Sequence, residues 1–530
     1  MASSDAYTTK DEIDSAYAAL HETFATRKTY SLGYRVYQLK QLAYLIHDNR
    51  TAIHAAVKED LGGGQFAVDL CDVFPILNEV DLAIKRLPKW AKDETRYMDS
   101  MLTFKFMSPR IHKQPKGVAL IISPWNYPWQ LTFIPLVNAI AAGCPALIKP
   151  SEFSPASSAL MAKLLPLYLD SQAYRVVLGD AEQSTHLLKR PWGHIMYTGS
   201  DRVGKIVAKA AADTLTPTTL ELGGKSPVII TEDADIPKTV KRMFTIKQLN
   251  TGQMCVTPDY VLCAEEIVDK FIAECKKTLD EFFPPFPHEN SILHAPMASH
   301  LRSSKDFERQ AAFIQQAESA GKLVYKGEVD VEKRRMGFSI VKLSLDGQGE
   351  KGGLVEEEIF GPVLPIIPVS SLDSAIRYIN ARPHPLSVYV CSSRKSVFNK
   401  VVKETISGSV TWNDFAFAVF ARSLPFGGVG GSGWGAYHGY DGFVTFTHAK
   451  STLQVPLLFE PLMSLRYPPV RPFAERALRF LLTTSLPARP KSVEDEERRM
   501  KWRKWRGTLI LMLVLGVAGV VGGAVGGTRR

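Results

Sequence analysis

The sequence predicts an α/β protein built around a doubly wound, mostly parallel sheet, followed by a second α/β unit. The first observation is an alternation of apolar runs and helical stretches between residues 117 and 220. The second is a further alternation between residues 227 and 410. Strands that alternate with helices favour a parallel sheet covered on both faces. The third is the length of 530 residues, which exceeds what one hydrophobic core usually organises.

Composition narrows the class of protein. Hydrophobic residues make up 45% and charged residues 22% of the chain, which is typical of a globular protein. The six cysteines form no C-x-x-C pair and accompany no His cluster, so we expect no metal site and no disulfide framework. Free thiols fit a reducing compartment. Residues 1–10 lack an apolar core, so we expect no secretory signal.

The net charge of +10 raises the question of a nucleic-acid partner. Much of the basic excess lies between residues 498 and 530, beside an apolar segment. A basic cluster in that position is typical of membrane flanks rather than of a DNA-binding face. We therefore predict no nucleic-acid partner.

Helices are predicted for the N-terminal region. Residues 11–60 place apolar side chains three and four positions apart, and three glycines at residues 62–64 interrupt this pattern. Residues 73–91 predict another helix, in which Pro75 either causes a kink or occupies the first turn.

The two alternating units predict strands and helices in turn. In the first unit, strands are expected at residues 117–123, 146–149, 175–178, 194–197 and 218–220, and helices at residues 131–142, 156–169, 182–189 and 202–213. In the second, strands are expected at residues 228–230, 260–262 and 388–390, and helices at residues 236–249 and 267–279. Parallel sheets of this kind bind ligands outside the carboxyl ends of their strands, so we expect the functional motifs there.

One cysteine lies in an uncharged, turn-like stretch, NTGQMCVTPDY, at residues 250–260. Gly252 permits a tight backbone, and Pro258 ends any helix that follows the thiol of Cys255. A thiol displayed in this way is a candidate nucleophile, although a lone cysteine is more often a small buried hydrophobe. A second stretch, TLELGGKSP at residues 219–227, carries the acidic residue Glu221. Together the two stretches resemble the aldehyde dehydrogenase superfamily, which implies that Cys255 is the nucleophile and Glu221 the general base.

The stretch ISPWNYP at residues 122–128 lies at a predicted strand end. An exposed Asn126 at that point can donate its side-chain amide to a developing oxyanion, whereas the commoner role of such an asparagine is to form a turn. The stretch resembles the oxyanion segment of the aldehyde dehydrogenases, which favours the catalytic role.

The stretch KPSE at residues 149–152 ends the next predicted strand. Lys149 could be simple surface charge, but the resemblance implies that Lys149 and Glu152 bind the adenosine ribose hydroxyls. A carboxylate there repels a 2′-phosphate. We therefore predict that NAD is the cofactor, with NADP possible.

The stretch YTGSDRVGK at residues 197–205 fits a P-loop except at its last position, where Ile206 replaces Ser or Thr. The hydroxyl that binds magnesium is therefore missing, which argues against an NTPase. The stretch instead resembles the strand-to-helix turn of the aldehyde dehydrogenases, with a helix N-terminus facing the cofactor pyrophosphate. The cofactor residues implied here are Gly199, Ser200, Val203 and Gly204, with Leu222 further on.

Two later stretches complete the resemblance. The acidic turn EEEIFGP at residues 356–362 could be a solvated surface, but the family pattern implies that Glu358 contacts the nicotinamide ribose and Phe360 backs the nicotinamide ring. Residues 428–433 form a G-x-G-x-x-G that no obvious helix follows, so the dinucleotide fingerprint lacks its context. Residues 424–448 resemble the closing segment of the class 3, fatty-aldehyde branch, and we expect an ordered loop at residues 423–442.

The C-terminal region predicts a membrane anchor. Residues 508–527 carry no charge over a length that can span a bilayer core, and the stretch KWRKWR precedes them. The alternative is a buried core helix. We predict a single-pass C-terminal anchor that leaves the catalytic part at the cytosolic face of the endoplasmic reticulum or another organelle.

The resemblance covers residues 11–455 and implies a division of the chain. It assigns residues 1–103 and 116–224 to the NAD-binding domain, 225–410 to the catalytic domain, and 104–115 and 411–455 to oligomerisation and closing segments. Beyond it we expect a tether at residues 456–506 and the transmembrane anchor at residues 507–528. A candidate hairpin, with strands at residues 104–107 and 110–114 joined around Pro109, belongs to the oligomerisation elements. We therefore expect a homodimer.

The activity implied is oxidation of an aldehyde to a carboxylic acid with reduction of NAD, and the expected substrates are medium- to long-chain fatty aldehydes. One alternative is an aldehyde dehydrogenase acting mainly on aromatic or short aldehydes. The other is a catalytically silent, membrane-anchored scaffold with the same fold, for which the loss of Cys255, Glu221 or Asn126 would be the mark; all three are present.

Overall fold

The computed structural model describes residues 7–345, 353–483, 486–503 and 505–506. These residues divide into two compact units: the first comprises the chain up to Thr95 together with residues 110–452, and the second comprises residues 96–109 and the chain from Leu453 onward. Most of the predicted motifs lie in the first unit.

Helices cover both faces of the sheets in the first unit. In chain order they are α1 (Lys10–Ala25), α2 (Leu32–Asp48), α3 (Arg50–Leu61), α4 (Gln65–Val68), α5 (Phe74–Trp90), then, after α6 (Leu102–Lys105) of the second unit, α7 (Gln130–Ala142), α8 (Pro155–Tyr168), α9 (Ala181–Leu188), α10 (Asp201–Asp213), α11 (Ile236–Lys247), α12 (Val268–Phe282), α13 (Ser304–Ser319), α14 (Leu372–Asn380), α15 (Lys395–Glu404), α16 (Phe417–Phe420) and α17 (Gly439–Thr445). Pro75 lies in the first turn of α5, where a missing N–H costs nothing.

The strands form three main sheets in the same unit. In chain order they are β1 (Glu94–Thr95), β2 (Arg110–Pro115), β3 (Ala119–Ile122), β4 (Ala146–Lys149), β5 (Tyr174–Val176), β6 (His194–Gly199), β7 (Thr218–Leu222), β8 (Pro227–Ile230), β9 (Tyr260–Ala264), β10 (Leu323–Tyr325), β11 (Val329–Asp330), β12 (Arg335–Met336), β13 (Ser339–Lys342), β14 (Val363–Val369), β15 (Ser387–Cys391), β16 (Ser409–Trp412), β17 (Gly433–Trp434) and β18 (Thr447–Thr452).

Both large sheets are mostly parallel, which confirms the predicted α/β class. The first has the order β17-β7-β6-β3-β4-β5, with only β17 antiparallel to its neighbour. The second has the order β10-β13-β14-β9-β8-β15-β16, with only β10 antiparallel. Strands β3 and β4 are buried on both faces, as parallel sheets require.

The candidate hairpin at residues 104–114 is wrong in its first half. Residues 102–105 form the short helix α6, and the N–H of Met107 bonds the carbonyl of Phe104 instead of a partner strand. Only β2 is a strand, and it pairs with β1 on one side and β18 on the other. Since both edges of β2 are occupied, a strand at residues 104–107 has no free edge of β2 to pair with.

Two regions predicted as irregular contain regular structure. Residues 423–442 were expected as a loop, but they contain β17 and the start of α17. In the second unit, the predicted tether contains α18 (Glu460–Met463) and α19 (Pro472–Leu482). Across the described ranges, no helix is both long enough and apolar enough to cross a bilayer. The predicted anchor at residues 508–527 lies outside those ranges.

Candidate active site

Four of the predicted site residues lie at the carboxyl ends of parallel strands in the six-stranded sheet. Asn126 follows β3, Lys149 is the last residue of β4, and Gly199 is the last residue of β6. Glu221 lies near the end of β7, where it is the register partner of Thr198. Because these strands are parallel, their carboxyl ends meet at the edge where ligands bind in such sheets.

The loop that carries Cys255 has an unusual backbone. Asn250 and Thr251 have φ values of 50° and 55°, and Gly252 follows with a φ of 76°. A β-branched residue in this left-handed region is strained, so the loop must be held by its surroundings. A side chain at Gly252 would also collide with the carbonyl oxygen of Gly361. The glycine is therefore required by the close approach of the segment that follows Phe360.

A strap of residues 299–302 holds this strained loop. The Thr251 hydroxyl donates to the carbonyl of Ser299 over 2.5 Å and accepts from the N–H of the same residue over 2.9 Å. Gln253 donates its amide to the His300 carbonyl over 3.0 Å and accepts from the N–H of Arg302 over 3.1 Å. Sequence reasoning missed the strap, because no local motif marks it.

Asn126 is tied directly to the cysteine loop. Its side-chain Nδ2 donates to the carbonyl of Gln253 over 3.1 Å, and its own carbonyl accepts from the side chain of Asn250 over 2.9 Å. Asn126 is buried. An amide NH₂ carries two N–H groups, so one of them is left for a ligand.

Cys255 lies in an environment that disfavours the charged form of its thiol. The residue is half-buried and packs against the hydrophobic core. Burial, reinforced by the charges of Glu358 and Glu221, raises the pKa of the thiol above its usual value.

Glu221 is a buried carboxyl group near the end of β7. Its side chain is 2% exposed, and neither carboxyl oxygen has a hydrogen-bond partner among the described residues. Burial therefore raises its pKa well above the usual value. A buried acid without partners, whose charge acts on a cysteine, is the arrangement expected of a general base that works with water.

Tyr437 is a further buried residue that sequence reasoning did not single out as a site residue. It is fully buried, and its hydroxyl has no partner among the described residues. Burial and the charges of Glu221 and Cys255 raise its pKa. The pKa of the Tyr437 hydroxyl is therefore sensitive to the charges of Glu221 and Cys255. The stretch around Tyr437 was noted only as part of the closing segment, and no spacing rule links it to Glu221.

The two residues predicted to bind the adenosine ribose are paired with each other. Lys149 Nζ lies 2.7 Å from Glu152 Oε2, and Lys149 is buried at the end of β4. This pairing orients the carboxylate of Glu152, which is partly exposed. The structure therefore excludes the reading of Lys149 as simple surface charge.

The predicted pyrophosphate turn lies at the start of α10. Ser200 precedes the helix in an extended conformation and makes no side-chain cap, which leaves the first N–H groups of the helix open to an anion. Val203 packs partly buried against the core, and Gly204 lies against the side chain of Leu222, where an added Cβ would come within 2.6 Å of Cδ2.

A cleft of about 1680 Å³ runs between the two large sheets. Ser200, Leu222 and Glu358 are among its lining residues, whereas Cys255, Asn126 and the Lys149–Glu152 pair are not. The cleft therefore unites only part of the predicted cofactor set. The Glu358 oxygen Oε1 is buried without a partner among the described residues, as expected of a group that awaits a ligand.

Phe360 and Glu358 belong to one constrained turn. Phe360 has a φ of 47°, and its ring meets that of Trp125 edge-on at 5.7 Å between centroids. Burial and the charge of Asp259 raise the pKa of Glu358 to about 8. These residues, with the open N-terminus of α10, fit the ribose and phosphate groups of a dinucleotide. No cluster of metal-binding side chains occurs among the described residues.

Comparison with known proteins identifies the family. The model for the aldehyde dehydrogenase family matches residues 3–452. The aldehyde dehydrogenase of Rattus norvegicus described as dimeric and NADP-preferring is 41% identical over 452 residues, which cover 84% of this chain and 96% of that protein. Aldehyde dehydrogenase family 3 member A2 of Pongo abelii is 39% identical over 452 residues, covering 85% and 90%.

A solved structure agrees with these sequence matches. The substrate-bound AldH of Staphylococcus aureus has a TM-score of 0.79 and 34% identity, covering 86% of this chain and 99% of that one. The chain therefore belongs to the aldehyde dehydrogenase family, and it is an enzyme that oxidises aldehydes to carboxylic acids with NAD or NADP.

Proposed function

We propose that this enzyme works through a thioester on Cys255, with Asn126 and Glu221 as its catalytic partners. The observation that carries the proposal is the hydrogen bond from the Asn126 side chain to the carbonyl of Gln253, two residues before Cys255. It fixes an amide donor to the same loop as the thiol, whose pKa in turn responds to the charge of Glu221.

The steps follow from these three residues. Cys255, as the thiolate, attacks the carbonyl carbon of the aldehyde to give a thiohemiacetal. The Asn126 side chain and the backbone N–H of Cys255 stabilise its oxyanion. When bound, NAD or NADP accepts the hydride. Glu221 then removes a proton from the water molecule that hydrolyses the thioester.

The cofactor would be held by residues that line the cleft and by others outside it. Lys149 and Glu152 would bind the adenosine ribose, and the N-terminus of α10 would face the pyrophosphate. Glu358 would bind the nicotinamide ribose, and Phe360 would back the ring. The remaining proposed contacts come from Gly199, Ser200, Val203, Gly204 and Leu222.

Two variants test the mechanism. Cys255→Ala should abolish turnover and leave NAD binding measurable, because the thiol is not a cofactor ligand. Glu221→Gln should still give a burst of NADH but lose steady turnover, because acylation precedes the step that needs its carboxylate. Steady turnover in Cys255→Ala at the wild-type rate would refute the mechanism.

Medium- to long-chain fatty aldehydes are the proposed substrates. The closing segment at residues 424–448 resembles the fatty-aldehyde branch, and the relatives include members of family 3. A series of aldehydes from hexanal to hexadecanal tests this, because each further buried methylene should contribute about 0.8 kcal/mol to binding. A preference for aromatic or short aldehydes would favour the alternative substrate class.

The C-terminal segment is proposed to anchor the enzyme to a membrane with the catalytic part in the cytosol. The support is the uncharged stretch at residues 508–527 and the Trp-rich basic stretch before it. A chain that ends before Lys501 should become soluble and keep activity on hexanal, but lose more activity on hexadecanal presented in vesicles. Equal losses on both substrates, or unchanged pelleting with membranes, would contradict this.

The enzyme is also proposed to be a homodimer. The support is the description of the rat relative as dimeric and the resemblance of the β2 region to the oligomerisation elements of the family. Light scattering of a chain that ends before Pro456 should give the mass of at least two subunits. A monodisperse monomer would contradict the proposal.

A further inference from the structure

One buried ion pair connects three segments around the proposed active site. Lys225 follows the strand that carries Glu221, and its Nζ lies against the carboxylate of Asp259, four residues after Cys255. The same ammonium donates to the carbonyls of Leu354 and Glu357 over 2.8 and 2.9 Å. An ammonium has three donors, so Lys225 is fully used by these contacts.

Asp259 makes the second half of the connection. Its Oδ1 accepts from the N–H of Ile359 over 3.0 Å, and its own N–H donates to the carbonyl of Ser226 over 3.0 Å. Its side chain is 1% exposed. A carboxylate this deeply buried is stable only when it is paired and hydrogen-bonded, as it is here.

The turn at residues 357–360 is held from its other side as well. Arg309 donates to the carbonyls of Glu358 and Ile359 over 3.1 and 2.7 Å. Gln310 donates to the carbonyl of Ile359 over 2.6 Å. The carbonyls of residues 357–359 are therefore all fixed by side chains, although a turn in solvent would satisfy them with water.

This bonding determines where the functional side chains of the turn can lie. With its backbone held, Glu358 lines the cleft and lies against Gly223, and its Oε1 stays buried without a partner among the described residues. Phe360 is kept at its left-handed φ of 47° and against Trp125. A bulky residue adopts that conformation only when its surroundings impose it.

We propose that Lys225 and Asp259 are positioning residues for hydride transfer, which they serve by fixing the Glu358–Phe360 turn relative to Cys255. The inference rests on the proposed roles of Cys255, Glu358 and Phe360, and adds to them the pair that sets their spacing. A displacement of about 1 Å at such a point can slow the chemical step on the order of a hundredfold.

The test replaces both partners together. Removal of one partner would leave a buried charge without compensation and would confuse positioning with misfolding. The double variant Lys225→Met/Asp259→Asn removes both charges, and the asparagine oxygen can still accept from the N–H of Ile359. The matched control is Lys326→Met/Glu318→Gln, which neutralises a solvent-exposed pair 2.8 Å apart in the same unit.

Five measurements are made on both full-length variants and on the wild type. The double variant should form NADH in a single turnover at a rate lower by about tenfold or more, and show a larger primary isotope effect with 1-deuterated aldehyde. It should bind NAD more weakly, as measured by protein fluorescence in the absence of aldehyde. Alkylation of Cys255 by iodoacetamide and the unfolding temperature should stay close to wild type, and the control should match wild type throughout.

Two outcomes would overturn the proposal. One is an unchanged single-turnover rate and isotope effect in the double variant. The other is a parallel fall in thiol alkylation, unfolding temperature and NADH formation, which would show a structural role only. The proposed function fails separately, through turnover in Cys255→Ala. An inactive Cys255→Ala beside a double variant with wild-type kinetics would reject the positioning role alone.

Discussion

Gly433 is the register partner of Glu221 in the antiparallel pair of β17 and β7, at the edge of the six-stranded sheet. It belongs to the G-x-G-x-x-G stretch, which leads into β17 and not into an α-helix. Gly433 has a φ of 110°, and a side chain there would collide with the carbonyl oxygen of Leu220. The close approach covers the strand that carries the buried carboxyl of Glu221.

Gly433→Ala should therefore be strongly destabilising and should reduce activity, because both the backbone angle and the available space are wrong for alanine. We expect a loss of more than about 2 kcal/mol in unfolding free energy, measured by urea titration. Gly321→Ala is the matched control, since Gly321 also has a positive φ but nothing lies within 4 Å of its added Cβ. The control should cost about 1 kcal/mol. Equal losses would show that crowding at Leu220 is unimportant.

Asn126→Ala should lower kcat by roughly a hundredfold to a thousandfold, the loss typical of one oxyanion donor. Cofactor affinity should change little, because Asn126 contacts the cysteine loop and lies outside the cleft. The measurement is kcat together with the dissociation constant for NAD. The control is Asn49→Ala. The Asn49 amide bonds the Leu45 carbonyl and the Tyr168 hydroxyl and, among the described residues, makes no hydrogen bond with the cysteine loop. A loss confined to NAD affinity would contradict the oxyanion role.

The rate of thioester hydrolysis should rise with pH. Burial raises the pKa of Glu221 well above 4.5, and only the ionised carboxylate can accept a proton from water. Above pH 4.5, steady turnover should therefore increase with pH as Glu221 ionises. In Glu221→Gln the residual steady turnover should lose this increase. An unchanged pH profile in the variant would assign the dependence to another group.

The same shift has the opposite consequence for stability. The folded state binds the Glu221 proton more tightly than the unfolded chain, so the group disfavours folding increasingly as pH rises from 4.5 towards the folded pKa. Glu221→Gln should therefore gain stability relative to wild type as pH rises across that window. Chemical denaturation at several pH values measures the difference. A gain that shrinks with rising pH would mean that Glu221 is ionised and stabilised in the folded protein.

Glu152→Gln should increase the relative use of NADP, because it removes a carboxylate that repels a 2′-phosphate. Lys149, which lies 2.7 Å from Glu152, would then be free to attract that phosphate. The measurement is the ratio of kcat/KM for NADP and NAD. Glu182→Gln, at the exposed partner of Lys10, is the control. The same ratio in wild type and in Glu152→Gln would show that Glu152 does not read the ribose.

Local patterns predicted the strands and helices of the first alternating stretch, residues 117–220, well. The predicted strand at residues 146–149 coincides with β4, and the predicted helix at residues 131–142 differs from α7 by one residue. In the second alternating stretch of the sequence, residues 227–410, β14 was not predicted. It contains Pro365 and Pro368, and proline within an apolar run argues against a central strand. The structure nevertheless places β14 between β13 and β9, because burial in the middle of the sheet overrides that local preference.

The sequence by itself determined the family, the α/β class and the order of the motifs. Apolar periodicity and motif spacing are properties of neighbouring residues, so they can be read without the fold. The tertiary structure decided which groups meet: the strap of residues 299–302 on the cysteine loop, Gly433 against Glu221, and the Lys225–Asp259 pair beneath the Glu358–Phe360 turn. These contacts join segments far apart in the chain. Their existence depends on how the sheets pack, and no local pattern records that.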